Sequence, residues 1–158
     1  MANVESTSTD RYVRPTVVDR RVFNPMIAGL AKIGISIRGS RVLEVRGRAS
    51  GEWRSVPVNP LALGGDRFLV APRGTTQWVR NIRAAGGGRL RKGRRIEEFT
   101  IVEVFDVDKT PILRAYLDEW GFEVGKFFEG VTKNSTDAEL AAVAPGFPVF
   151  RITLDTAR

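Results

Sequence analysis

The chain has 158 residues, 42% of them hydrophobic and 27% charged, with 16 glycines and a net charge of +7, which fits one ordinary globular domain and excludes disordered and fibrous classes. It contains no Cys and no His, so disulfides, thiolate nucleophiles, Cys/His metal sites and Ser-His-Asp chemistry are excluded for want of the atoms. An enzyme built from this sequence takes its chemistry from a cofactor, or from carboxylates, Tyr, Lys and Arg.

Residues 1–18 are polar and without periodicity, so they read as a flexible N-terminal arm ahead of a single domain over 19–158. Asn24-Pro25 supplies an N-cap and a first-turn proline for a helix whose apolar stripe is Met26, Ile27, Leu30 and Ile33, with Gly34 as its stop. From Arg41 the pattern changes to period two. Arg41–Arg46 (RVLEVR) reads as a strand, and so does 54–63 (RSVPVNPLAL), whose two prolines confine it to an edge or make it bulge. Gly64-Gly65-Asp66 then turns the chain into Phe68–Ala71, which predicts a hairpin.

Thr75 and Thr76 are cap candidates for a helix over Gln77–Ala85, with Trp78, Ile82 and Ala85 on its inner face and Gly86-Gly87-Gly88 as a break. The longest strand is expected over Arg94–Phe105, where β-branched residues alternate with polar ones. Thr110-Pro111 caps a helix ending at Gly121, and Thr136 with Glu139 forms a capping box for a short helix to Val143, stopped by Pro145 and Gly146. Pro148–Leu154 is the last strand. Short strands, hairpin signals and a helix inserted among them predict an α+β domain with a mostly antiparallel sheet. Periodicity leaves open whether that sheet closes into a barrel.

Charge is the next signal. Residues 1–95 carry a net +13 and residues 96–158 a net −6, and 20 of the 25 basic residues are Arg. A GC-rich genome would favour Arg over Lys, but it would not confine the charge to one part of the chain. Arg suits bidentate grip on phosphate or carboxylate. Two loops could use it. In Gly47-Arg48-Ala49-Ser50-Gly51-Glu52-Trp53-Arg54, glycines let N–H groups converge beside a hydroxyl and two guanidiniums; the plainer reading is a hairpin turn with solvated arginines. In Ala71-Pro72-Arg73-Gly74-Thr75-Thr76, a strand end meets a helix N-terminus, whose free N–H groups favour an anion or a polarised carbonyl; the plainer reading is an N-cap.

Asn81 falls on the apolar face of the inserted helix, where a buried amide takes either backbone partners or a ligand. Trp78 reads as core before it reads as a stacking platform. The basic, glycine-rich run Arg80–Arg95 lacks the interleaved aromatics of a base-stacking surface, so it reads as a solvated rim that attracts anions, and nucleic acid is not an expected partner.

Taken together, the G-R-x-S-G-x-x-R series from Gly47 to Arg54, the following Val56-Pro57-Val58, Arg73-Gly74, and the W-x-x-N-x-R-A of Trp78 to Ala84 resemble the deazaflavin-dependent nitroreductase family of actinobacteria. The resemblance covers roughly residues 22–153. It implies a split β-barrel of the FMN-binding type with flanking helices, coenzyme F420 as cofactor, and hydride transfer from it to a quinone-like, enone or nitro acceptor. It also implies that Arg48, Ser50, Gly51 and Arg54 hold the coenzyme's phosphate and glutamate tail, that Val56, Pro57 and Val58 lie along the deazaflavin ring, and that Arg73, Gly74, Thr75 and Thr76 reach the ring edge or the phosphate. Ala71, Trp78 and Asn81 complete the expected cofactor-binding set.

The sequence departs from the family's pattern in being shorter between Gly74 and Trp78, and its C-terminal part offers one tyrosine, Tyr116, so no catalytic acid is assigned. FMN in the same barrel and a coenzyme carrier without turnover are the alternative readings. With no apolar run near the ~18 residues that span a bilayer and no signal-peptide core in MANVESTSTDRYVR, the expected location is the cytoplasm, as a monomer or homodimer. The helix over 24–33 and the apolar segment 122–131 (FEVGKFFEGV) would line an acceptor pocket, touch a membrane surface, or pack in the core.

Overall fold

The computed structural model describes residues 11–12, 41–128 and 130–155. The helix expected over 24–33 lies outside them. Seven strands, β1 (Arg41–Arg46), β2 (Trp53–Val58), β3 (Leu61–Leu63), β4 (Asp66–Val70), β5 (Gly87–Lys92), β6 (Arg95–Glu103) and β7 (Val149–Leu154), form one sheet in the order β2-β1-β5-β6-β7-β4-β3. Every pairing is antiparallel. Among the described residues three helices accompany it: α1 (Gln77–Ala85), α2 (Thr110–Val124) and α3 (Asp137–Val143).

The edges of this sheet are β2 and β3, which are consecutive in sequence and separated only by Asn59-Pro60. Three residue steps span about 10 Å at most, so the sheet must curl until its two edges meet at that corner. The result is a half-barrel, split where β2 hands over to β3. The expectation of one strand over 54–63 is therefore corrected: Pro60 has no N–H to give a ladder and restricts Asn59 before it, so the run breaks into two strands on opposite edges. Pro57 sits within β2, an edge strand, as its missing donor demands.

A second correction concerns Gly86-Gly87-Gly88. Gly86 does end α1, in the left-handed region at φ 78° with its N–H on the Ile82 carbonyl. Gly87 and Gly88, however, open β5, which lies centrally between β1 and β6. A Cβ on Gly87 would overlap the Phe99 carbonyl, and one on Gly88 the Glu44 carbonyl. These glycines admit close backbone approach across the ladder instead of interrupting it.

Two apolar clusters fill the fold. Inside the curl, Val79 and Ile82 of α1, both 0% exposed, pack on Leu43, Leu69, Leu90 and Phe150. Ala85 is exposed, so it leaves the expected inner face, where Val79 takes its place. On the other side, α2 lays Leu113, Tyr116 and Trp120 over Phe68 and Val70 of β4, with α3 adding Leu140. Helix α2 runs through Gly121 to Val124, three residues past the expected stop, and continues as a 3-10 turn over Gly125–Phe127. Val124 and Phe128 are buried in that cluster and Phe127 and Val131 pack against it, so these members of the 122–131 segment serve the core. The capping box of α3 forms in full: Glu139 N–H donates to Thr136 Oγ1 at 3.1 Å and Thr136 N–H to Glu139 Oε1 at 2.8 Å.

Candidate functional site

The β1–β2 turn is folded by its glycines. Gly47 N–H donates to the Glu52 carbonyl at 2.7 Å and Gly51 N–H to the Gly47 carbonyl at 2.9 Å, with Gly51 left-handed at φ 75°. A Cβ on Gly47 would lie 3.0 Å from Ser50 Oγ and 3.5 Å from Arg54 Nε. Hydroxyl and guanidinium thus converge over a bare Cα, a cradle that any side chain at 47 would fill. Ser50 Oγ already accepts the Glu52 N–H at 3.1 Å, which leaves its hydrogen to donate. Arg48, Ser50, Gly51 and Arg54 are exposed.

Arg48 joins this turn to α1. Its backbone N–H and Nη1 both donate to Asn81 Oδ1, at 3.1 and 2.8 Å, and Nη2 donates to Gln77 Oε1 at 3.0 Å. Asn81 is 6% exposed, so its carbonyl is satisfied by the neighbouring turn. Three guanidinium hydrogens of Arg48 are not engaged by these bonds and face the exposed side of the turn.

The second loop precedes α1. Ala71 belongs to the core at 1% exposure, its N–H on the Pro148 carbonyl. Gly74 is left-handed at φ 84° and its N–H closes a turn onto the Ala71 carbonyl. Thr76 is the N-cap of α1 yet makes no side-chain cap bond, so the expected capping role is corrected. Its hydroxyl is buried and has no partner. With no cap, the N–H groups of Gln77, Trp78 and Val79 have no intrahelical acceptor, since Arg80 makes the first bond of the ladder, to the Thr76 carbonyl. A buried hydroxyl without a partner costs about 1–3 kcal/mol, and a ligand acceptor at this helix end would recover it.

The remaining expected residues divide. Val56 and Val58 of β2 pack against the inner cluster and Pro57 is half-buried on the same strand. Trp78 is half-buried, its ring 6.0 Å from Phe150 in a tilted contact, and so belongs to the core lining. Arg73 lays its guanidinium over the Phe127 ring, 5.1 Å from the centroid. The structure brings the β1–β2 turn and α1 together through Arg48 on Gln77 and Asn81, while Arg73 packs on Phe127. Tyr116, 2% exposed in the helical cluster, is no acid for a bound acceptor.

Two features escaped sequence reasoning. Arg89 and Arg91, read as part of a solvated rim, instead hold the buried carboxylate of Glu44, with Arg89 Nε at 2.6 Å and Arg91 Nη2 at 3.3 Å from Oε1. Burial opposes ionisation of Glu44, but these bonds outweigh it and hold its pKa below the ordinary carboxylate range. The alternation of Arg89 and Arg91 was the available signal for a strand facing an acid. Second, Arg11 and Tyr12 of the N-terminal arm are seated on the second loop, where Tyr12 bridges Gly74 and Thr75 N–H donates to the Arg11 carbonyl at 2.5 Å.

The cradle at Gly47 with Ser50 and Arg54 suits a phosphate or carboxylate, and the unpaired donors at the start of α1 suit carbonyl or anionic acceptors; together they fit a phosphorylated, carbonyl-bearing deazaflavin. Among solved structures, one described as a domain-swapped dimer shares the fold, with a TM-score of 0.54 and 15% identity over 82% of this chain and 92% of that one. An F420-H2 dependent reductase matches at 0.49 and 17% identity, over 73% of this chain and 95% of its own. A pyridoxamine 5'-phosphate oxidase homologue from Listeria innocua matches at 0.49 and 13% identity, over 76% of this chain and 86% of its own. No curated protein matches the sequence. The family model for F420H(2)-dependent quinone reductase matches residues 20–123, about two thirds of the chain. The chain therefore belongs to the F420H(2)-dependent quinone reductase family, oxidoreductases of split-barrel fold whose cofactor is coenzyme F420.

Proposed function

We propose that this protein reduces a quinone-like acceptor, with enone and nitro compounds as related substrates, and that the coenzyme is held between the β1–β2 turn and the start of α1. The observation that carries the reading is the joint made by Arg48 on Asn81 and Gln77, which fixes the Gly47 cradle beside a helix end that lacks a cap. In this arrangement Arg48, Ser50, Gly51 and Arg54 take the phosphate and the carboxylate tail. Val56, Pro57 and Val58 offer an apolar strand for a flat ring, and Thr75, Thr76 and the N–H groups opening α1 orient its polar edge, with Gly74 and Arg73 completing the loop. Bound reduced F420 supplies the hydride. The chain supplies position and an electropositive, partly water-excluding surface, which is the larger part of what a protein adds to a cofactor reaction.

The physiological acceptor is a small, flat, electron-poor molecule, and the site is that of a cytoplasmic protein. A homodimer is the assembly we favour, since a fold relative is described as a domain-swapped dimer. None of the described helices is long and apolar enough to cross a membrane.

Fluorescence titration with reduced and oxidised F420 tests the site. Arg48→Ala and Arg54→Ala should each weaken binding by about 1.5–3 kcal/mol, the range for a hydrogen bond to a charged group. Unchanged affinity in the double variant would show that the coenzyme is held elsewhere.

A further inference from the structure

We propose that Arg11 is a positioning residue for the coenzyme site, acting as a clip that holds the loop 72–76 in the shape the ligand requires. The inference rests on the placement of the coenzyme argued above. Arg11 grips the loop at both ends. Its carbonyl accepts the Thr75 N–H, and its guanidinium donates from Nη1 to the Pro72 carbonyl at 2.9 Å. Nη2 donates at 2.5 Å to the Phe127 carbonyl, in the turn that follows α2, and the guanidinium lies 4.5 Å from the ring of Phe147, which is fully buried.

One side chain thus ties three separate stretches of chain to the arm. The loop is shaped to receive it: Gly74 faces the arm, where a Cβ would overlap the Arg11 carbonyl, and its left-handed φ suits no other residue as well. The next residues are Thr75 and Thr76, the latter with the unpartnered buried hydroxyl. The loop also closes its own turn, Gly74 N–H on the Ala71 carbonyl and Thr76 N–H on the Gly74 carbonyl, and Arg73 sets its guanidinium against the Phe127 ring. By gripping both ends of the loop, Arg11 sets where the Thr76 hydroxyl and the open N–H groups of α1 stand, without touching a ligand bound to them. Lysine cannot replace it, because an ammonium lacks the planar fork that serves two carbonyls while stacking on a ring.

The test is F420 titration of Arg11→Ala and Arg11→Lys in the full chain, with exchange of the Thr75 amide followed by NMR and steady-state kinetics alongside. Arg11→Ala should raise the coenzyme Kd about tenfold, speed Thr75 exchange, and leave kcat at saturating coenzyme within about twofold; Arg11→Lys should keep most of the affinity loss. A variant with lower Tm and lower kcat but wild-type Kd would reduce Arg11 to a structural contact and overturn the proposal, as would full rescue by lysine. Arg48→Ala is the control. Should it leave the coenzyme Kd unchanged, the placement of the coenzyme is at fault, and Thr75 exchange alone then decides for the clip if faster in Arg11→Ala, or against it if not.

Discussion

Arginines that look alike in the sequence do different things in two regions of this molecule. Arg89 and Arg91 alternate along β5 and face Glu44 on the neighbouring strand, so one carboxylate offsets half of their combined charge inside the sheet. Arg48, on the β1–β2 turn, and Arg54, at the start of β2, form no ion pair with any described carboxylate. Arg48 braces on two side-chain amide carbonyls, which cost it no charge, and Arg54 lies beside Ser50 over Gly47. A cation paired with a carboxylate is neutralised toward a third party; one braced by an amide keeps its full field. At the candidate site, Arg48 and Arg54 thus keep a charge that no ion pair with a described carboxylate offsets.

The comparison predicts a graded set of losses. Glu44→Gln should be the most damaging, lowering stability by about 2 kcal/mol; this is below the range for a fully buried pair because both arginines keep some contact with water. Denaturant titrations against pH would sharpen it. The folded-state pKa of Glu44 is depressed, so its contribution is complete above the ordinary carboxylate range, begins to fall as pH drops into that range, and is gone below the folded-state value. The gap between wild type and Glu44→Gln should close in that acidic window, and a gap independent of pH would contradict an ionised carboxylate. F420 affinity at neutral pH should be unchanged by this variant.

Asn81→Ala should cost less stability, about 1–2 kcal/mol, because the Arg48 N–H and Nη1 lose their shared acceptor. Unlike Glu44→Gln it should also weaken coenzyme binding, since the turn is no longer seated on α1; equal affinity would separate the joint from the site. Thr76→Val should be the one change that does not destabilise the free protein, raising its stability by up to about 1–3 kcal/mol, because it removes a buried hydroxyl with nothing to bond. A loss should appear only in the coenzyme titration. A clear loss of stability without coenzyme would mean that the hydroxyl serves the fold.

Much of this was legible in advance because it depends on neighbours in sequence. The bounds of β1 and α1, the capping box at Thr136, the Gly64-Gly65 turn and the family motifs are local patterns. What was not legible depends on partners far along the chain. Glycines 87 and 88 read as a break until the Phe99 and Glu44 carbonyls are placed against them, and Asn59-Pro60 reads as a bulge until the two edges are seen to part there. Arg48 carried the signal of an anion-binding arginine, but its seat on Asn81 is 33 residues away. The arm gave no signal at all, since Arg11 reaches residues 61 and 116 positions further on.

The order of the strands also governs how the molecule can be made. β7, the last strand in the chain, lies between β6 and β4. Before it is synthesised, the β3–β4 hairpin has no hydrogen-bonded neighbour in the larger sheet, and both the barrel curl and the loop that follows β4 lack their anchor. Completion of the candidate site is thereby deferred until β7 has left the ribosome, so that a nascent chain stalled before Val149 would present an open sheet with two raw edges for chaperones to shield.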